Sequence, residues 1–270
     1  MSFTERLKHL NERGHLCVGL DPTVADLPEN VNPDRDGIER FLKDIIEATS
    51  PYAVAYKPNA AFYEALGPWG WEILESLRDM IPSGTLMIFD AKRGDVGHTA
   101  HAYAHAAFKR VGADAITLSP FLGEDSVRPF LEDPERGAFL LCLTSNPDAV
   151  RWQTAIIDGD PLFIHMARWA KSLNGRHNVG LVAGATRPEE LAMIREQSGG
   201  DMPLLIPGVG AQQGDLRATL QAASGAPFLI NASRSIVGAS KGADYADAAA
   251  LAASKLHSEI QAAEASVVGS

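Results

Sequence analysis

Two cysteines, Cys17 and Cys142, are all the thiol chemistry that this chain of 270 residues contains. Two cannot build a structural zinc site unaided. Both stand inside apolar runs, LCVGL and FLLCLT, so they read as small core hydrophobes rather than a disulfide. No stretch approaches the ~18 apolar residues that span a bilayer. The opening residues, MSFTERLKHLNERG, lack the apolar segment of a signal peptide. Basic residues are outnumbered 34 to 24, for a net charge of −10. So acidic a chain is a poor partner for nucleic acid or an anionic membrane. No G-x-S-x-G, H-E-x-x-H, P-loop or dinucleotide fingerprint occurs, which argues against nicotinamide, ATP and zinc chemistry. Hydrophobic residues at 46% and charged residues at 21% exclude a disordered chain. The expectation is a soluble, cytoplasmic, globular protein.

What the chain does have is a repeat of short apolar runs. They are LCVGLDP (16–22), AVAYKPN (53–59), TLMIFDAKRGD (85–95), AITLSPF (115–121), AFLLCLTSN (138–146), VGLVAGAT (179–186), PLLIPGVGA (203–211) and PFLINASRSI (227–236). They are near-continuously apolar, as parallel strands covered on both faces are. Helical spacing lies between them, at 36–50, 61–80, 98–111, 125–131, from Pro161, from Pro188, at 215–223 and at about 243–263. Eight strands alternating with helices predict an α/β chain with a (β/α)8 barrel, in one domain over 1–270. An open doubly wound sheet is the alternative. Residues 2–13 read as a helix capping the barrel. The segment 146–160 reads as a long, functional loop.

In such a barrel the C-terminal strand ends converge on one face. Here those ends carry Asp21, Lys57, Asp90, Lys92, Asp95, Ser119, Thr144, Ser145, Thr186, Gln212 and Arg234. Residues two apart on a strand share a face, so Asp90 and Lys92 point together into the mouth beside Lys57. A run D-x-K-x-x-D is also what a salt-bridged rim looks like. Buried charge clusters are expensive to desolvate, however, and are weak evidence for stability alone. They serve well as a preorganised field for a reaction that moves charge. Pro207 to Asp215 is glycine-rich and leads into a helix, and Arg234 follows the eighth strand. Both features suit a phosphate, which barrels commonly bind after strands 7 and 8. His98, His101 and His105 share one helical face and read as solvated rather than metal-binding.

Together these residues resemble orotidine 5′-phosphate decarboxylase in its longer bacterial form. Four segments carry the likeness: YKPN (56–59), DAKRGD (90–95), TSNP (144–147) and PGVGAQ (207–212). The resemblance implies cofactor-independent decarboxylation of orotidine 5′-monophosphate to uridine 5′-monophosphate, with no metal. It implies Lys92 as proton donor to C6 and Asp90 against the substrate carboxylate. Asp21 and Lys57 would hold the ribose, Ser145 the pyrimidine, Gln212 both pyrimidine and phosphate, and Arg234 the phosphate. Asp95 and Thr99 would reach across a homodimer interface into the partner's site. Some relatives have glycine before the phosphate arginine, where this chain has Ser233. The alternatives are a magnesium-dependent sugar-phosphate decarboxylase or synthase sharing D-x-K-x-x-D, a Schiff-base aldolase, and a non-catalytic nucleotide-binding barrel.

Overall fold

The computed structural model describes residues 1–209 and 215–268. Eight parallel strands close into a barrel: β1 (Leu16–Leu20), β2 (Ala55–Pro58), β3 (Leu86–Arg93), β4 (Ala115–Leu118), β5 (Gly137–Leu143), β6 (Val179–Ala183), β7 (Leu204–Pro207) and β8 (Phe228–Ala232). Each pairs with its neighbours in sequence, and β8 returns to β1. Seven fall inside the apolar runs read from the sequence and β5 begins one residue ahead of its run, at Gly137; the closed barrel sets the open-sheet alternative aside.

The helices depart from the sequence reading where backbone chemistry intervenes. Helix α1 (Phe3–Asn11) is closed by a capping box, in which Ser2 and Glu5 bond one another's amides. Helix α2 (Arg35–Thr49) matches expectation. The single helix expected over 61–80 is two, α3 (Ala60–Ala65) and α4 (Pro68–Met80). Gly67 separates them at φ 77°, and Pro68 can only begin a new helix. The helix expected over 98–111 is α5 (Gly97–His105) followed by a wide π turn over 106–110. The segment 125–131 forms two 3-10 turns rather than one helix. The long loop after β5 is ordered, with α6 (Val150–Gln153) and a hairpin pairing Ile156–Ile157 with Asp160–Pro161. Gln153 latches it to the barrel by accepting the Thr144 N–H at 2.8 Å. Helices α7 (Leu162–Leu173), α8 (Pro188–Ser198), α9 (Leu216–Ala223), α10 (Arg234–Val237) and α11 (Tyr245–Val268) complete the ring. No helix among the described residues is long and apolar enough to cross a membrane.

Two apolar layers hold the barrel. One fills the space between strands and helices and includes Leu16, Val18, Leu20, Ile45, Ile116 and Leu140. The other lies inside the barrel, where α1 plugs the bottom with Phe3, Leu7 and Leu10 against Cys17, Ala55, Ile88, Ala115 and Phe139. The Phe3 and Phe139 rings meet edge to face at 5.7 Å. This plug leaves no spare volume: a Cβ on Gly137 would stand 2.5–2.7 Å from the Phe3 ring. Gly137→Ala is therefore expected to lower stability by about 1–3 kcal/mol through overpacking, read as a lower urea midpoint.

The inward rows change character as they climb. Ala55 gives way to Lys57, Ile88 to Asp90, and Ala115 to Thr117, each two residues further along its strand. The barrel is thus apolar at its floor and charged at its mouth.

Candidate active site

Asp90 is the hub of that mouth. Its Oδ2 accepts from Lys57 Nζ at 2.6 Å, and its Oδ1 accepts from Lys92 Nζ at 2.7 Å. Oδ1 also accepts from the Thr117 hydroxyl at 2.8 Å. Both Asp90 and Lys57 are buried, at 8% and 6% exposure. The Lys92 side chain is half exposed, so its ammonium reaches into the mouth from a fixed anchor. A cavity of about 270 Å³ opens beside the three, walled by Thr117, Leu141, Ser145, Val182, Leu205, Pro207 and Asn231.

The electrostatics follow from the geometry. Burial alone would push the Asp90 carboxyl up, but Lys57 and Lys92 overcome it and hold the group well below the usual carboxylate range. Burial alone would favour a neutral Lys57, but Asp90 and then Asp21 outweigh it and raise the ammonium above its ordinary value. Both groups are therefore locked in their charged forms. The sign of the linkage follows. Asp90, lowered by folding, stabilises the fold above its unfolded pKa near ~4 and loses that contribution as pH falls through the folded value. Lys57, raised by folding, stabilises below ~10.4 and loses its contribution as pH rises through the folded value. Urea midpoints are expected to form a plateau between these limits and to drop on the acid side. A midpoint unchanged between pH 5 and pH 2 would contradict the pairing.

The aligned arrangement of Asp90 and Lys92 survives a break in the strand. The β3–β4 register shifts between Phe89 and Arg93, and Lys92 sits at φ 47°. A side-chain residue in the left-handed region costs roughly 1–2 kcal/mol and marks a position set by its surroundings.

Asp21 stands on the far side of Lys57 at the end of β1. It does not bond Lys57. Its Oδ2 accepts from the Ser233 hydroxyl at 2.6 Å and its Oδ1 from the Asn59 N–H at 3.2 Å. Ser233, seen in the sequence only as a departure from relatives, thus holds the aspartate. Gly19 makes the room, since a Cβ there would meet the Ser233 Cβ at 2.5 Å. A second cavity, of about 250 Å³, adjoins Asp21, Ser233, Arg234 and Lys241. Arg234 is exposed and makes no ion pair with a described residue. Gln212 lies outside the described residues.

Asp95 and Thr99 are not part of this cluster. Asp95 is half-buried, and its Oδ1 accepts the next residue's N–H at 2.8 Å. Thr99 is in the first turn of α5. Nearby in the chain Val96 is exposed, and at the end of β4 Phe121 is 91% exposed with Leu122 also open. His98, His101 and His105 lie along α5, with His98, His101 and His105 exposed and His101 3.8 Å from Glu132. No cluster of three or more metal-binding side chains occurs among the described residues. Cys17 and Cys142 are buried and free, and burial pushes both thiols up, Cys17 to about 12.

Two polar residues of the cavity were not singled out in the sequence. Thr117 sits in the run AITLSPF, where threonine reads as an ordinary strand former. Asn231 sits in FLINAS, and its buried Oδ1 has no hydrogen-bond partner among the described residues. The usable signal was a hydrogen-bonding side chain on the inward row of an apolar strand.

Residues 14–249 match the model of the "Orotidine 5′-phosphate decarboxylase / HUMPS family". The chain is 51% identical over 241 residues to orotidine 5′-phosphate decarboxylase of Herpetosiphon aurantiacus, covering 88% of this chain and 90% of that one. It is 47% identical over 270 residues to the Roseiflexus castenholzii protein of the same name, covering 97% and 98%. Among solved structures, Leishmania donovani OMP decarboxylase superposes with a TM-score of 0.85 at 39% identity, covering 98% of this chain and 99% of that one.

Proposed function

This chain belongs to the orotidine 5′-phosphate decarboxylase / HUMPS family, and from that premise we infer that it converts orotidine 5′-monophosphate to uridine 5′-monophosphate and CO2. It is a carboxy-lyase of pyrimidine nucleotide synthesis. The observation that carries the mechanism is the Lys57–Asp90–Lys92 chain, two ammonium groups held by one buried carboxylate.

The roles within it are our reading. The pyrimidine takes the cavity beside Lys92 and Ser145. The ribose meets Asp21 and Lys57, and the phosphate lies toward Arg234; Gln212 keeps the role that the resemblance implies. The bond from C6 to the carboxylate breaks and its electron pair stays on C6. Water stabilises such a carbanion poorly, whereas a fixed ammonium beside it stabilises the charge as it develops. A proton then passes from Lys92 Nζ to C6, and solvent returns a proton to the amine. Asp90 aims Lys92 by accepting from its Nζ at 2.7 Å. Its oxygens are committed to three donors, which favours this orienting role over repulsion of the substrate carboxylate. Schiff-base chemistry needs a free amine, whereas Lys92 Nζ is engaged with the Asp90 carboxylate at 2.7 Å.

We also infer a cytoplasmic homodimer in which Asp95 and Thr99 complete the partner's site. The support is the exposed apolar set Val96, Phe121 and Leu122 beside them. Phe121→Asp is expected to shift the protein from dimer to monomer in sedimentation and to lower kcat with it. A native protein that is monomeric and fully active would contradict this.

Product analysis tests the reaction itself. Orotidine 5′-monophosphate incubated with the protein should give stoichiometric uridine 5′-monophosphate and CO2. Turnover of hexulose or pentulose phosphates with magnesium, and none of the nucleotide, would move the chain to the other branch of its family.

A further inference from the structure

The Thr117 hydroxyl links the two ends of Lys92 by way of Asp90. It accepts from the Lys92 backbone N–H at 3.0 Å and donates to Asp90 Oδ1 at 2.8 Å. The same oxygen accepts from Lys92 Nζ at 2.7 Å. The three bonds form a ring that starts at the amide of Lys92 and ends at its own ammonium. The direction of the ring is fixed, because an ionised carboxylate has no proton to give. Thr117 must donate to Asp90 and so has only lone pairs left for the amide.

This ring sits where the backbone is least ordinary. Lys92 has φ 47°, and the β3–β4 ladder breaks its register there. Its amide donates to a side chain of the neighbouring strand. A left-handed residue persists only where its surroundings over-determine it. Thr117 is 1% exposed, so its hydroxyl has no solvent to answer to. We propose that Thr117 is a positioning residue for the reaction: its hydroxyl fixes the left-handed bend at Lys92 and thereby aims the ammonium at the reacting carbon. The proposal rests on Lys92 being the proton donor.

Thr117→Val keeps the shape and removes the hydroxyl. It is expected to lower kcat by about 10²-fold with KM within about threefold, since misplacing a reacting group by about 1 Å costs on that order. Thr117→Ser returns the hydroxyl and should recover kcat to within about fivefold of the parent enzyme. Thr117→Ala leaves room for a water to bridge the amide and the carboxylate, so its kcat should fall between the two. It also keeps the test alive if the valine variant does not fold. A purely structural role would move stability without this split of kcat from KM and without rescue by serine. Parent-like kcat in folded Thr117→Val or Thr117→Ala would overturn the proposal, as would equal losses in the valine and serine variants. Lys92→Ala, assayed alongside, separates the two readings. If it keeps parent kcat, the role of Lys92 fails. If it is inactive while Thr117→Val is fully active, the role of Thr117 alone fails.

Discussion

Lys92→Ala is expected to lower kcat by at least about 10⁴-fold while leaving the chain folded. Two contributions disappear together. The proton donor is lost, typically worth 10²–10⁴-fold, and so is the ammonium that stabilises the carbanion, worth roughly 10²–10³-fold or more. The fold has little stake in this side chain. It is half exposed, and Asp90 keeps Lys57 and Thr117 as partners without it. The urea midpoint should therefore shift by no more than about 1 kcal/mol of stability, the range of an exposed pair. KM should change far less than kcat, because the contacts proposed for the ribose and phosphate do not involve this side chain. An arginine at the position would not restore activity, since a guanidinium stays protonated and does not serve as a proton donor near neutrality.

The second large effect runs the other way, with the fold and the chemistry failing together. Asp90→Asn leaves the Lys57 ammonium buried at 6% exposure without its bonded carboxylate, with Asp21 acting on it only through space. Removing one partner of a buried pair costs about 3–5 kcal/mol, because the remaining charge is uncompensated. The amide is also a poor substitute for a carboxylate with three donors. It has a single acceptor oxygen, and its N–H groups would face an ammonium or a hydroxyl already committed as donor. Activity should fall by at least about 10²-fold, because Lys92 loses its anchor. The variant should also lose the acid limb of the stability profile, which the parent owes to Asp90. Lys57→Met at the same time should recover part of the stability and none of the activity. Such a rescue would show that the stability cost lies in the orphaned ammonium.

Much of this was legible in the chain. The eight strands could be read because strands buried on both faces are continuously apolar, and their ends could be read because charge is out of place there. Helix α1 lies inside the helix read over residues 2–13, while its capping box emerged only in the structure. What was not legible depends on geometry that no spacing encodes. The break between α3 and α4 turns on Gly67 adopting positive φ, which a helical periodicity running through it conceals. Residues two apart on a strand do share a face, and Asp90 and Lys92 meet. The bulge that bends Lys92 away from ideal strand geometry is invisible in the pattern DAKRGD. Thr117 and Asn231 look like ordinary strand residues until the closed barrel turns them inward. Ser233 read as a substitution, and only its bond to Asp21 shows that it holds a site residue in place.

The most direct test of the central claim is the ultraviolet absorbance of orotidine 5′-monophosphate mixed with protein dialysed against EDTA, parent beside Lys92→Ala. The account predicts rapid loss of the orotate band with the parent and a stable band with the folded variant. An unchanged band with both proteins, or equal loss with both, would contradict a decarboxylase that works through Lys92.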